Sequence, residues 1–283
     1  MKKFAFFLQN NLIGKMTAPI AQYALQTGHT VIDRSCTQDL DIMACDDDWW
    51  RYAAVIPYGS SELLRKFMKT PLSAHIVQDE NGLSTKTWMQ KFGNLALNHG
   101  GLVMPAKDVL AHLQSQGQAH VRPTSEHKAL VATVFDADTW DEHSREARVR
   151  EDLSVFVSKA KTIEREYRCW VIDGQVIEVS QYVVDQHLVI ALVDDPAVIQ
   201  AAQALANVYV PSHAVVMDMA RTSEGFKFLE FNRFHCSGWY AARVDRVMDA
   251  YLTSLGKQLD MKPPAKDAGR HDCTNANDMG CSQ

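Results

Sequence analysis

Apolar and polar residues alternate in blocks over residues 1–100, and the blocks change character with each step. Lys3 to Leu8 is a short apolar run that predicts a strand, and Ala18 to Gln26 carries helical spacing that ends before Gly28. His29 to Asp33 and Ala53 to Ile56 predict a second and a third strand. Pro57-Tyr58-Gly59-Ser60 then leads into a helix over Ser61 to Lys69, with Ser60 or Ser61 as its cap. His75 to Gln78 predicts a short fourth strand. Strands that alternate with helices predict a small parallel α/β layer.

Gly93, Gly100, Gly101 and Pro105 mark a change of pattern. Ala119 to Val121 and Ala129 to Phe135 read as strands around a polar loop, and Ser154 to Ser158 as another strand. Two hairpins follow. Asp173-Gly174 suits the two-residue turn that needs positive φ at both positions. The simple register pairs Ile172 with Gln175, Trp170 with Ile177, Arg168 with Val179 and Glu166 with Gln181. Glu166, Arg168, Trp170 and Ile172 then share one face, polar at one end like the wall of a cleft. In the second hairpin, Ser223-Glu224-Gly225 suits a three-residue loop. That register sets Asp218 opposite Glu230, with Asn232 on the same face as Glu230. Three units are expected: an α/β domain over 1–85, a core over 86–262, and a mobile polar tail over 263–283.

Composition narrows the classes. Of 283 residues, 46% are hydrophobic and 22% charged, so a globular core is affordable in area and bulk disorder is excluded. Lys and Arg number 29 against 34 Asp and Glu, a net charge of −5, which argues against gripping nucleic acid by bulk charge. No run approaches the ~18 apolar residues of a membrane helix, so no membrane partner is expected. Met1-Lys2-Lys3 precedes an apolar run of five residues, Phe4 to Leu8, short of the roughly 7–15 of a signal peptide. The six cysteines form no CxxC pair and read as reduced thiols. A cytoplasmic protein is the expectation.

The chemistry concentrates on the second hairpin. Asp218, Glu230 and Asn232 bring hard oxygen donors together among apolar neighbours. Paired carboxylates repel unless a cation neutralises them, and this donor type suits Mg²⁺ with phosphate oxygens as its further ligands. Arg122 and Lys128 bracket the polar loop Thr124-Ser125-Glu126-His127, and Lys159 and Lys161 stand at the next strand's end. No P-loop is present, since Gln258 follows Gly256-Lys257 where Ser or Thr is needed. No GxGxxG follows a strand, HExxH and GxSxG are absent, and Val171 stands where a nucleotidyl-lysine ligase needs lysine. His235-Cys236 has nothing around it that marks a thiol nucleophile.

Asp218 with Glu230-Phe231-Asn232 resembles the metal-binding strand pair of the ATP-grasp superfamily. Val121-Arg122-Pro123, Lys128, Glu166-Tyr167-Arg168 and Ser237-Gly238-Trp239-Tyr240 together resemble a phage-associated clade of that superfamily named for an arginine and two lysines. The resemblance spans roughly 85–250 and implies an ATP-grasp fold, α/β plus α+β, in which two subdomains clasp ATP behind an N-terminal α/β domain. It also implies an ATP- and Mg²⁺-dependent ligase that joins a small-molecule or peptide carboxylate to an amine through an acyl phosphate. If phage-encoded, it would act in the host cytoplasm. Carried over by position, Asp218, Glu230 and Asn232 would hold Mg²⁺, while Arg122 and Lys128 would contact phosphates. Lys161, with Ser158 and Ile163, would lie by the adenine and Glu166 by the ribose. Lys159 would also border the nucleotide, and Arg168 would steady the acyl phosphate or the carboxylate. Arg233, Ser237, Gly238 and Tyr240 would meet the substrates. The loop at 124–127 lacks the glycines of many ATP-grasp flaps, and Arg233 stands where the clade often has proline. Two other readings stay open: a nucleotide-binding protein of this fold without catalysis, and a small-molecule kinase.

Overall fold

The computed structural model describes residues 2–9, 14–34, 41–45, 48–76, 82–124 and 130–261. The polar tail, Val77 and Gln78 lie outside them; where the fourth strand was expected to begin, His75 instead ends a 3₁₀ turn, Pro71–His75, and Ile76 caps it.

The chain begins with β1 (Ala5–Gln9), α1 (Gly14–Gln26), β2 (Thr30–Arg34), β3 (Val55–Tyr58) and α2 (Ser61–Phe67). These strands form a parallel sheet in the order β2-β1-β3, the α/β layer expected from the alternating blocks. β1 and β3 are buried along their whole length, as parallel strands with both faces covered must be. Ser60 caps α2 by accepting a hydrogen bond from the Leu63 N–H at 3.2 Å. Next comes α3 (Thr85–Phe92), capped by Ser84, a helix beyond the expected elements.

The middle of the chain supplies β4 (Leu102–Pro105), α4 (Val109–Gln116), β5 (Ala119–Pro123), β6 (Thr133–Phe135), α5 (Ala137–Glu146) and β7 (Ser154–Lys159). They make an antiparallel sheet in the order β4-β7-β5-β6. β6 is shorter than the run Ala129–Phe135, because only Thr133–Phe135 pair with β5. Val121, Phe135, Trp140, Val155 and Val157 form this sheet's core with Val109 and Leu113 of α4.

The last part holds β8 (Arg165–Ile172), β9 (Gln175–Val184), β10 (His187–Leu192), α6 (Pro196–Val208), β11 (Ala214–Thr222), β12 (Gly225–Asn232) and α7 (Val244–Met261). The strands order β10-β9-β8-β11-β12, all antiparallel. Successive side chains point to opposite faces. Cys169, Val171, Val215 and Met217 go to a face packed on α6 and α3. Trp170, Ile172, Ala214 and Val216 go to the other, where one continuous core joins them to Phe6, Leu8 and Tyr58 of the first sheet and to Tyr251 of α7. Among the described residues no helix is long and apolar enough to cross a membrane.

Both hairpins correct the simple registers. Asp173 and Gly174 have φ of 48° and 76°, as the tight turn requires. Val171 faces Val176 but Trp170 faces Glu178, so Ile177 is an extra residue, a β-bulge. Arg168 therefore pairs with Ser180 rather than Val179; a second bulge at Tyr182, between the pairs Tyr167–Gln181 and Glu166–Val183, sets Glu166 opposite Val183 rather than Gln181. In the second hairpin Thr222 pairs with Gly225, which leaves a two-residue loop, Ser223-Glu224. A bulge at Leu229 restores the count, and Asp218 still faces Glu230.

Candidate active site

Three bulges, at Ile177, Tyr182 and Leu229, decide what the free end of the large sheet presents. By displacing the register one residue, Ile177 sends Ser180 and Tyr182 to the face of Arg168, and Val179 to the opposite core. Leu229 keeps Glu230 and Asn232 in line with Asp218. Asp218, Glu230, Asn232, Arg168, Glu166 and Tyr182 thus converge where the apolar core of that face stops.

Arg168 and Asp218 are direct cross-strand partners. The guanidinium donates from Nε to Oδ1 at 2.9 Å and from Nη2 to Oδ2 at 2.7 Å. Side-chain exposure is 12% for Arg168 and 2% for Asp218, so this is a buried, bidentate pair. Asn232 Nδ2 donates to the same Oδ2 at 2.9 Å and reaches Glu230 Oε1 at 3.5 Å. Burial pushes Asp218 up to about 6; Arg168 pulls it down, while the charges of Glu230 and Glu166 add to the rise. Burial works against the charge of Arg168, but its bonds to Asp218 more than offset this and its pKa is raised. The two shifts pull on one proton in opposite senses. The two-point geometry is that of an ion pair, so both groups are charged near neutral pH.

Aromatic rings complete the surroundings. The Arg168 guanidinium lies 4.9 Å from the Tyr240 ring and 5.6 Å from that of Tyr182. The two rings stack at 4.8 Å and 3°. Tyr240 holds φ at +51°, a conformation that costs a non-glycine residue energy. Tyr182 donates to Glu166 Oε2 at 2.6 Å. Arg168 Nη1 also donates to the Gly238 carbonyl at 3.3 Å.

From the smaller antiparallel sheet, Arg122 on β5 reaches across to Glu230 Oε2 at 3.2 Å. Its guanidinium lies 5.3 Å from the Trp88 ring of α3. Between the two sheets is a cavity of about 580 Å³, lined by Ser84, Thr85 and Trp88, by Arg122, and by Glu230, Asn232 and Arg233. Its walls carry both signs of charge, which suits a polyanion held with a cation.

Other expected residues make different contacts. Lys159 is exposed at the end of β7, and Lys161 and Ile163 are half-buried on the connection to β8. None contacts the acids. Ser158 is buried and donates to Asn98 Oδ1 at 3.1 Å. Ser237 donates to the Arg233 carbonyl at 2.7 Å. Lys128 lies outside the described residues. Tyr182 and Trp88 were missing from the sequence-derived set. Tyr182 reaches the site through bulges with no local sequence signal, and Trp88 sits on α3, where Trp88 and Phe92 recur at helical spacing on the buried face.

Among the described residues no three His, Cys, Asp or Glu side chains cluster as a metal site. A cation would rest on two carboxylates and, with the Asn232 amide turned so that Oδ1 replaces the Nδ2 now facing both acids, on that oxygen, leaving positions for water and phosphate oxygens. Such an all-oxygen, partly open set fits Mg²⁺. In this structure the cationic places beside the carboxylates are taken by Arg168 and Arg122.

Comparison with known proteins gives a consistent picture. Residues 105–250 match the model of the ATP-grasp domain, R2K clade family 2. No curated protein matches the chain by sequence. Among solved structures, D-alanine–D-alanine ligase from Bacillus anthracis complexed with ATP superposes with a TM-score of 0.62 at 11% identity, covering 93% of this chain and 100% of that one. D-cycloserine synthetase DcsG gives 0.57 at 14%, with coverage of 89% and 99%. ATP-grasp ligase PsnB, complexed with precursor peptide PsnA2 and AMPPNP, gives 0.54 at 12%, with 90% and 97%. At these identities the likeness is one of fold.

Proposed function

The chain belongs to the ATP-grasp domain family, R2K clade family 2, and from that premise we propose that it is an ATP- and Mg²⁺-dependent ligase joining a carboxylate to an amine. The observation that carries this reading is the meeting of Asp218, Glu230 and Asn232 with two arginines from different sheets, Arg168 and Arg122, at one cleft. Phosphoryl transfer needs positioning and charge neutralisation more than a protein nucleophile, and the cleft is built that way. The solved neighbours named as ligases act on small molecules or on a peptide, which supports the same substrate range here.

In the reaction we propose, a carboxylate oxygen of the substrate attacks the γ-phosphorus of ATP and the bond to ADP breaks. An amine then adds to the acyl carbon. Phosphate leaves with the former carboxylate oxygen, and the amine gives up a proton. Mg²⁺ held by Asp218, Glu230 and Asn232 would neutralise charge on the phosphate oxygens. Arg122, and Lys128 from the loop beside it, would bind the phosphates. Arg168 would steady the charge that builds on the transferring phosphoryl group or on the substrate carboxylate. Lys161, with Ser158 and Ile163, would border the adenine, Lys159 would also border the nucleotide, and Glu166 would lie by the ribose. Arg233, Ser237, Gly238 and Tyr240 would face the substrates, as the carry-over by position implies. We also propose that residues 1–85 form an N-terminal α/β domain that shares a core with the large sheet and helps to build the substrate pocket, and that the protein is cytoplasmic.

Incubation with Mg·ATP and a pool of amino acids and amines, read by mass spectrometry, tests the proposal. The expected result is a condensed product formed in step with ADP. A phosphorylated product without condensation would make the protein a kinase. Nucleotide binding without turnover would make it a binding protein of this fold.

A further inference from the structure

Arg168 is held by Asp218 on one side and by the Gly238 carbonyl on the other. The Asp218 side is fixed by strand pairing, whereas Gly238 lies in the open segment between β12 and α7. Something must hold that carbonyl still. Three contacts do. The Tyr58 hydroxyl, from the last residue of β3, donates to the Ser237 carbonyl. Trp239 is sandwiched between the Tyr58 ring, at 5.5 Å and 16°, and Trp170, at 4.0 Å and 9°. Past it, the Ala241 N–H donates to Ser180 Oγ at 2.9 Å.

Tyr58 is fully buried and lies outside the family-matched residues 105–250. Its ring could serve packing alone, but its hydroxyl meets the peptide next to the one that receives Arg168. The adjoining turn is tied to the same place, since the Gly59 N–H donates to the His235 carbonyl at 2.9 Å. The end of β3 therefore grips residues 235–239 at two backbone points.

We propose that Tyr58 is a positioning residue for Arg168: its hydroxyl sets the Ser237–Gly238 peptide so that the Gly238 carbonyl orients the guanidinium. The parallel sheet thereby contributes to the geometry of the cleft through Tyr58. The catalytic consequence rests on the ligase reading above; the orientation of Arg168 does not.

Two measurements on the full chain separate those layers. The first uses ¹H–¹⁵N spectra of arginine Nε–H groups in the ligand-free protein, with the Arg168 signal identified by its loss in Arg168→Lys. Tyr58→Phe keeps the ring stack and removes the hydroxyl. It is expected to shift or broaden the Arg168 signal and leave that of Arg243, which bonds Glu178 elsewhere, in place. Tyr23→Phe removes another buried tyrosine hydroxyl, one that donates to Asp249 at 2.6 Å, and is expected to leave Arg168 unmoved. Trp239→Phe, which thins the stack but keeps the hydroxyl, is expected to move it. An Arg168 signal unchanged in Tyr58→Phe, or moved equally by Tyr23→Phe, overturns the proposal.

The second measurement is kinetic. Tyr58→Phe is expected to lower kcat by about ten- to a hundredfold, as loss of orientation does, with KM for ATP little changed. Added to Arg168→Lys it is expected to cost little more. Fully multiplicative effects of the two substitutions overturn the proposal. If no substrate pair turns over, the ligase reading fails while the spectra still decide the role of Tyr58.

Discussion

Arg168 and Asp218 sit directly opposite each other on β8 and β11, and the guanidinium bonds both carboxylate oxygens. Breaking such a buried pair from one side leaves a charge without a partner. Arg168→Met, which keeps much of the side-chain volume, should destabilise the fold by about 3–5 kcal/mol, read from urea unfolding at pH 7.5. A loss below about 1 kcal/mol, the value typical of exposed pairs, would show that Asp218 is not buried as a carboxylate.

Acid should destabilise the protein through its buried histidines. His235, bonded to the Tyr251 hydroxyl at 3.1 Å, is pushed down to about 3 by burial, with His213 adding to the shift. His120 is lowered to about 4 by burial and by Arg122. In the unfolded chain each protonates below about 6.5, whereas in the folded chain it stays neutral. Their stability contribution is therefore complete above 6.5 and falls as pH drops toward 3 or 4. Asp218, raised to about 6, acts in the opposite sense between about 6 and 4. His235→Phe isolates one histidine. Its stability relative to the wild type should rise by about 1.4 kcal/mol for each pH unit below 6.5, measured by denaturant titrations at pH 7.5, 6 and 5. Parallel stability curves would contradict the burial of a neutral His235.

Gly59 is required by close approach rather than by φ. A Cβ there would stand 2.7 Å from Leu63 Cδ2 and 2.8 Å from Gln9 Cβ, at the point where Gln9 accepts the Ser60 N–H at 2.8 Å. Gly59→Ala should cost about 1–3 kcal/mol, as overpacking does, and lower the thermal midpoint. Because Gly59 is tied to His235, the same substitution should also move the Arg168 signal. A variant with the wild-type midpoint would show that this corner yields freely.

The sequence made some of this legible. The parallel pairing of β1 to β3 followed from apolar runs spaced by helical stretches, though not their order, and the Asp173-Gly174 turn from its need for positive φ. Asp218 met Glu230 as expected, although the loop was one residue shorter and the Leu229 bulge made up the difference. Bulges carry no local signature, and the one at Ile177 exchanged Val179 and Gln181 for Ser180 and Tyr182 beside Arg168. Nor could spacing foresee that Trp88, Arg122 and Glu230 stack up from three elements. Contacts between sheets depend on how layers pack, which the pattern within one strand does not encode.

The most direct measurement follows oxygen. A pool of carboxylates labelled with ¹⁸O, supplied with Mg·ATP and an amine mixture, should yield inorganic phosphate that carries one ¹⁸O for each amide formed, because the carboxylate oxygen leaves on phosphorus. Glu230→Gln, half-exposed at the cleft, should fold normally and release no labelled phosphate. Amide formed with unlabelled phosphate, or a stable phosphate ester whose carboxylate keeps both labelled oxygens, would contradict the proposed acyl phosphate.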